Sequence, residues 1–426
     1  MLTAITGINW GDEGKGRMVD LLSENADIVV RYQGGNNAGH TVINEYGEFK
    51  LNLIPSGIFR KNVVCVMGGG MVIDLAHLAK ETAGLREKGI DISPKNLMIS
   101  DMATIVMPYH PLLDVLEETR LTEVTGKPYG STRRGIAPVY SDKYMKKTIR
   151  MSDLFYPEDL EKKVREIVDY KNLLIAGGYK AEPVKADEVL AWLHTYGDPF
   201  KAYVADTGAY LYEANKAGKS IIFEAQLGAL KDIDFGIYPY TSSSSTISAF
   251  APIGAGIPGC KLDKSIGIMK AYSSSVGTNP FTAVLTGEEG DKLREAGGEY
   301  GAATGRPRDV GAFDVVASKY GVRMQGCDEV ALTKLDVLSY MDKIPVCVKY
   351  DIDGEITDAF PQGHRLEIAK PVFEYLPGWK CDIAACRKYE DLPGNARKYI
   401  EFIEEKVGCF IKYISVGADR EAYILR

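Results

Sequence analysis

The sequence predicts an α/β fold with a mostly parallel central sheet and a helical insertion. Short apolar runs of strand length alternate with segments of helical periodicity. The first of these runs passes through a glycine-rich turn directly into a helix. Residues 101–197, by contrast, carry mainly helical spacing.

Leu2-Thr-Ala-Ile-Thr6 reads as a buried strand, and Met18-Val-Asp-Leu-Leu22, beyond the turn, as a helix. Asp27–Arg31 and Val63–Met67 read as the second and third strands. Pro157 suits a first helical turn, where its missing N–H is not needed. Leu160, Val164, Ile167 and Val168 then recur at helical spacing, and Ala186 to His194 forms a second such segment. Strand signals return at Ser220–Glu224, Glu329–Thr333, Pro345–Lys349 and Cys409–Ile414. The Ser/Thr-rich stretch Thr241 to Ser248 is short and flanked by Tyr238-Pro-Tyr240, which favours an ordered hydroxyl-lined loop over a linker. Without repeats or long linkers, residues 1–426 are expected to form one large α/β domain with 101–197 inserted in it.

Composition narrows the function. The 51 Lys plus Arg against 58 Asp plus Glu give a net charge of −7, which argues against general nucleic-acid binding but leaves small anionic substrates open. The seven cysteines are odd in number and dispersed, as in a reduced, cytoplasmic chain. Cys381 and Cys386 form the only close pair and no matching ligand pair follows, so zinc is not expected. The most apolar stretch, Ile247 to Cys260, is too short and too interrupted by Gly254, Gly256, Pro258 and Gly259 to span a membrane.

Gly7-Ile-Asn-Trp-Gly-Asp-Glu-Gly-Lys-Gly16 lies between a strand and a helix, the setting of a phosphate loop. The fold class is therefore P-loop-related. Backbone N–H groups around Gly14 and Gly16 are expected to face phosphates, with Lys15 adding a point charge. The loop departs from the usual pattern: six residues separate Gly7 from Gly14, and Gly16 stands where a magnesium-binding hydroxyl belongs. Asp12 is the candidate metal ligand in its place. After the second strand, Gln33-Gly-Gly-Asn-Asn-Ala-Gly-His-Thr41 exposes backbone and amides, with Asn36 and Asn37 as donors. His40 suits a general acid or an oxyanion partner.

These two loops resemble the signature segments of the adenylosuccinate synthetase family, and the resemblance runs from Leu2 to the terminal Ile424-Leu-Arg426. It implies a GTP-dependent ligase, using Mg²⁺, that joins L-aspartate to IMP through a 6-phosphoryl intermediate. Asp12 takes the N1 proton and ligates the metal with the Gly39 carbonyl. His40 supports charge on O6, and Lys15 assists at the phosphates. Thr41 lies beside GTP. Thr333-Lys-Leu-Asp336 resembles a guanine-reading motif: a carboxylate at Asp336 accepts from N1–H and the N2 amine, a donor pair adenine lacks. Lys334 lies along the base, and Ser415 and Gly417 supply a second guanine contact. Asn37, Thr132, Lys146, Gln226, Ser242, Val276 and Arg306 are implied on the IMP side. Arg134, Thr304, Arg306 and Arg308 are implied on the aspartate side, where paired guanidiniums suit a dicarboxylate. Lys146 is implied to reach the nucleotide of a second subunit, hence a homodimer.

The departures from the family pattern cluster. Arginine is usual at Lys146 and at Pro307, and threonine at Ala303. In Phe223-Glu-Ala-Gln-Leu-Gly228, Leu227 occupies the family's purine-contacting glutamine position and Gln226 stands one residue early. These changes leave a second acceptor open, another purine nucleotide such as GMP or dGMP. A GTP-binding switch without ligase activity would have no use for Asp12, His40 or the Arg306/Arg308 loop.

Overall fold

The computed structural model describes residues 1–44, 46–300, 307–419 and 421–426. Its central sheet has ten strands: β1 (Leu2–Gly7), β2 (Ile28–Arg31), β3 (Val64–Met67), β4 (Leu97–Ser100), β5 (Val204–Ala205), β6 (Ile221–Gly228), β7 (Lys264–Lys270), β8 (Glu329–Thr333), β9 (Ile411–Ser415) and β10 (Tyr423–Leu425). Their order is β10-β9-β8-β7-β1-β6-β2-β3-β4-β5. All neighbours are parallel except the antiparallel β9–β10 pair. β1 lies in the middle and is buried along its whole length, which is why Leu2–Thr6 reads as apolar rather than alternating. The chain leaves β1 in both directions across the sheet. The loops after β1, β2, β6, β8 and β9 therefore open at one carboxyl edge, beside a topological switch point.

Four strands of the central sheet, β4, β5, β7 and β10, escape a reading of the sequence. β7 carries Lys264 and Lys270 at its ends and Gly267 inside, which weakens its strand signal. Gly267 is a close-approach site rather than a breaker: a Cβ there would lie 2.5 Å from Cys327 Sγ and 2.7 Å from the Ile8 side chain. β4, Leu97-Met-Ile-Ser100, is four residues long, too short to show a period. Pro345–Lys349 does form a strand, but it extends to Lys343–Ile352 and lies outside the central sheet. It pairs in parallel with Phe313–Asp314 and antiparallel with Glu355–Thr357 and Lys370–Pro377.

The segment 101–197 makes up most of the connection, 101–203, between the adjacent parallel strands β4 and β5. It holds α2 (Tyr109–Thr125), α3 (Ile136–Met145), α4 (Pro157–Asn172) and α5 (Ala186–Gly197), while α1 (Lys15–Leu22) follows β1. A buried ionic cluster ties three of these helices together. His110 Nε2 donates to one oxygen of Asp142 at 2.9 Å, Lys171 Nζ donates to the other, and His110 Nδ1 accepts the Met107 N–H at 2.8 Å. Burial lowers the His110 pKa, while Asp142 opposes that shift. Asp142→Ala would leave the Lys171 ammonium buried without its counter-ion. We expect a loss of about 3 kcal/mol in chemical denaturation. A change below about 0.5 kcal/mol would show that the cluster is not structural.

Candidate active site

The phosphate loop is pinned by a carboxylate that the sequence reading passed over. Glu13 Oε1 accepts the N–H groups of Asn9 at 3.1 Å and Gly11 at 2.8 Å, and its Oε2 takes Lys15 Nζ at 2.5 Å. Both side chains are buried. Lys15, expected to face phosphate, is thus held within the loop in this state. The turn requires glycine twice over. Gly14 caps α1 at φ 95°, and a Cβ on Gly7 would meet Glu13 Oε2 at 2.5 Å and Lys15 Nζ at 2.8 Å. A Cβ on Gly16 would lie 2.7 Å from His40 Cβ. That contact explains why no hydroxyl residue follows the lysine: α1 abuts the second loop there.

His40 is the candidate catalytic side chain with the most developed surroundings. Its Nδ1 lies 2.5 Å from Glu224 Oε1 in the fully buried part of β6, and its Nε2 is buried with no partner among the described residues. Glu224 also accepts Ser56 Oγ–H at 2.6 Å and Ser56 N–H at 2.8 Å, with Arg31 4.0 Å away. Burial pushes the Glu224 carboxyl up, but His40, Arg31 and Ser56 together hold it below its ordinary value. Burial and then Arg31 lower the His40 pKa, and Glu224 opposes both. The carboxylate fixes the ring, so that Nε2 is the free atom. An acid inside a buried apolar strand is the signal that could have singled out Glu224.

The second loop corrects one expectation. Gln226, implied on the IMP side, commits its amide to the loop backbone instead. Its Nε2 donates to Gly35 O at 2.7 Å and Ala38 O at 3.2 Å, and its Oε1 accepts Gly35 N–H at 3.2 Å. It is fully buried, and a Cβ on Gly34 would come 1.9 Å from its Oε1. The cause is a bulge in β6. Ile5 pairs with Glu224 and Gly7 with Gly228, so four steps of β6 oppose two of β1. Leu227 takes φ 64° within the bulge and packs 3.5 Å from the Cβ position of Gly11. Gln33 and Asn52 brace the same loop through Gln226 O and Ala38 O. Asn36 donates to Asp74 at 2.8 Å, and Asn37 Oδ1 accepts Gly35 N–H at 3.3 Å. Gln226→Leu should leave the Gly35 carbonyl unpaired, since Ala38 O keeps Asn52 and Gly35 N–H keeps Asn37, costing about 1–3 kcal/mol in thermal unfolding. A variant as stable as the parent would contradict this supporting role.

Arg308, expected to meet a substrate carboxylate, here holds Asp12: its Nη2 lies 3.0 Å from Asp12 Oδ2. Thr304 and Arg306, with Ala303, lie outside the described residues. On the guanine side, Arg17 is a residue the sequence did not single out. Its guanidinium donates to Ser415 Oγ at 2.6 Å, Gly417 O at 2.5 Å, Ala422 O at 3.1 Å and Asp419 O. It fastens α1 to the loop after β9. Burial raises the Asp336 pKa against Lys334 and Arg17, as suits a carboxylate short of donors.

The acceptor-side segments also meet. Thr132 and Arg134 are exposed on a loop hung from α2: Ser131 Oγ and Gly135 N–H donate to Asp114 at 2.6 and 2.9 Å. Tyr129 packs edge-on to Tyr240, two residues before Ser242. Lys231 joins Tyr240 O at 3.1 Å to Asn279 at 2.6 Å, and Ser275, beside Val276, donates to the same Asn279 oxygen at 3.1 Å. Lys146 stands apart. It ends α3 at φ 61°, exposed next to Tyr144 and Met145. Among the described residues eight non-glycine residues have positive φ, and Asp12, Arg133, Lys146, Leu227 and Lys334 are five of them. Backbone strain is thus concentrated where the site was expected.

Among the described residues no three His, Cys, Asp or Glu side chains form a metal cluster, and all seven cysteines are free thiols. One carboxylate, Asp12, and backbone carbonyls are what remain. That set suits Mg²⁺, which takes one or two carboxylates and completes its shell with substrate phosphates and water. No helix among the described residues is long and apolar enough to cross a membrane.

The family model described as adenylosuccinate synthetase matches residues 4–424. An adenylosuccinate synthetase of Pelotomaculum thermopropionicum is 46% identical over 99% of this chain and 98% of its own length. One from Caldanaerobacter subterraneus is 43% identical, covering 100% and 99%. The fully ligated adenylosuccinate synthetase structure from Plasmodium falciparum superposes with a TM-score of 0.93 at 35% identity, covering 100% and 99%. A cyanophage succinoaminodeoxyadenylate synthetase bound to dGMP and dATP shares the fold at TM-score 0.61 and 17% identity.

Proposed function

We infer, from the premise that this chain belongs to the adenylosuccinate synthetase family, that it is a C–N-forming ligase of AMP biosynthesis. It joins L-aspartate to IMP at the expense of GTP and yields adenylosuccinate, GDP and phosphate. The single observation that carries the chemistry is the buried His40 Nε2, without a partner among the described residues and backed by Glu224. The alternative of a GMP or dGMP acceptor is not favoured. The likeness to the dGMP-bound neighbour is one of fold alone, while family likeness spans the chain.

The reaction has two steps. Asp12 takes the N1 proton of IMP, which lets O6 attack the γ-phosphorus of GTP. The bond to the β–γ bridging oxygen breaks and GDP leaves. His40 Nε2 meets the charge that develops at O6. The amine of aspartate then attacks C6, the C6–O6 bond breaks, and phosphate departs carrying O6. Phosphorylation is needed because an amide-like oxygen is a poor leaving group. Arg308 must leave Asp12 before Asp12 can act as a base, which places it to meet the incoming carboxylate. Asp12 and the Gly39 carbonyl are the groups for Mg²⁺, which neutralises phosphate charge when bound. Gly14, Lys15, Gly16 and Thr41 line the phosphates of GTP. Lys334, Asp336, Ser415 and Gly417 read its base. Asn37, Thr132, Ser242, Val276 and Arg306 hold IMP. Arg134, Thr304, Arg306 and Arg308 hold aspartate. Lys146, exposed beside two large apolar side chains, serves the nucleotide of a partner subunit in a homodimer.

The reading is tested by a product assay with Mg²⁺, GTP, L-aspartate and IMP, with GMP and dGMP in parallel. A succinyl adduct of IMP that requires both GTP and aspartate supports it. An adduct with GMP or dGMP alone overturns the acceptor. For the donor base, Asp336→Asn should weaken GTP and narrow the GTP:ITP preference at least 10-fold, because Asn cannot accept from both guanine donors. An unchanged preference would remove Asp336 from base recognition.

A further inference from the structure

Four donors converge on the fully buried carboxylate of Glu299, a residue absent from the roles given above. Lys270 Nζ lies 2.8 and 2.9 Å from its two oxygens, and Tyr272 Oη 2.5 Å from one of them. Lys334 Nζ lies 3.0 Å away and Arg308 Nη1 2.8 Å. Burial raises the Glu299 carboxyl, but Lys270, Lys334 and Arg308 hold it far below the usual range. A buried cluster of one anion and three cations is a weak source of net stability, since desolvation offsets attraction. Its geometry is more informative.

Two of the four donors lead outward. Lys334 begins the guanine-reading turn at φ 58°, and its ammonium is held by Glu299 and by Gly297 O at 2.6 Å. Its aliphatic stem is thereby fixed. Arg308 reaches Glu299 with one terminal nitrogen and Asp12 with the other. Its backbone N–H also donates to Glu299 O at 2.9 Å. Lys334 and Arg308 thus share one carboxylate, and the chain Lys334–Glu299–Arg308–Asp12 joins the guanine turn to the catalytic carboxylate.

We propose that Glu299 is a positioning residue that couples guanine recognition at Lys334 to the placement of Arg308 beside Asp12. The proposal rests on the reading of Lys334 to Asp336 as the guanine site. A fixed Lys334 stem sets Glu299, and Glu299 sets the angle from which Arg308 passes between Asp12 and the substrate carboxylate. Tyr272 and Lys270 also hold the carboxylate and lie on neither branch.

The test is a double-mutant cycle on kcat/KM for L-aspartate with Lys334→Met, Arg308→Lys and the double variant, all with Glu299 intact. The two losses should be non-additive by a factor of roughly 5 or more. Losses that multiply to within twofold overturn the proposal. Glu299→Gln should bring the same cycle to within twofold of additivity. Should Glu299→Gln fail to fold, the cycle with Glu299 intact decides alone. Tyr272→Phe removes a donor from neither branch and should leave the coupling unchanged; loss of coupling there would mark a general packing effect and overturn the proposal. Asp336→Asn separates the two readings. Unchanged base preference there defeats the guanine assignment, whereas relaxed preference with an additive cycle defeats the coupling alone.

Discussion

Asp12→Asn is expected to lower kcat for adenylosuccinate formation by roughly 10³-fold or more with the fold kept, as removal of a proton-transferring carboxylate does. Asparagine is the informative replacement because position 12 has φ 58°, a conformation that Asn tolerates and most residues resist. The loop backbone should therefore persist, held by Glu13 on Asn9 and Gly11. What is lost is the base that takes the N1 proton and the anion that holds Arg308. KM for GTP should change less than kcat, since backbone N–H groups still face the phosphates. Steady-state kinetics with a melting-temperature control decide the matter. Turnover within tenfold of the parent would show that another group removes the proton.

His40→Asn should cost about 10²–10⁴-fold in kcat, the range for a positioned acid or oxyanion donor. Glu224→Gln is the sharper experiment. Burial and Arg31 lower the His40 pKa, and Glu224 is what raises it. Removing that charge lowers the pKa further, so less imidazolium exists at any given pH. If protonated Nε2 stabilises O6, activity falls as pH rises through the His40 pKa in the substrate complex. The alkaline limb of the kcat profile should then move to lower pH in Glu224→Gln, with at least a tenfold loss at pH 8. A profile that only drops uniformly would mean that Glu224 orients the ring without tuning its charge.

Much of this candidate site is legible in sequence because the signals of its loops are local. A phosphate loop is a strand, a glycine turn and a helix within twenty residues, and β1, Gly14 and α1 reproduce that order. Glycine and lysine there are required by backbone conformation and charge, which do not depend on distant contacts. Other residues were illegible for the opposite reason. Glu224 acts through His40, 184 positions away, and Arg17 through Ser415, 398 positions away. Neither has a sequence neighbour that hints at its partner. The direction of the Gln226 amide depends on a bulge, and a bulge depends on the strand alongside.

By itself, then, the sequence determined the α/β order, the glycine-rich turn between β1 and α1, and the family. Those rest on short-range rules of turn geometry, helix periodicity and residue chemistry. Only the tertiary structure decided which carboxylate orients His40, where the Gln226 amide points, and that Arg308, Lys334 and Lys270 share Glu299. A buried polar group must find its partner in space, and the parallel sheet brings those partners from remote points of the chain to one carboxyl edge.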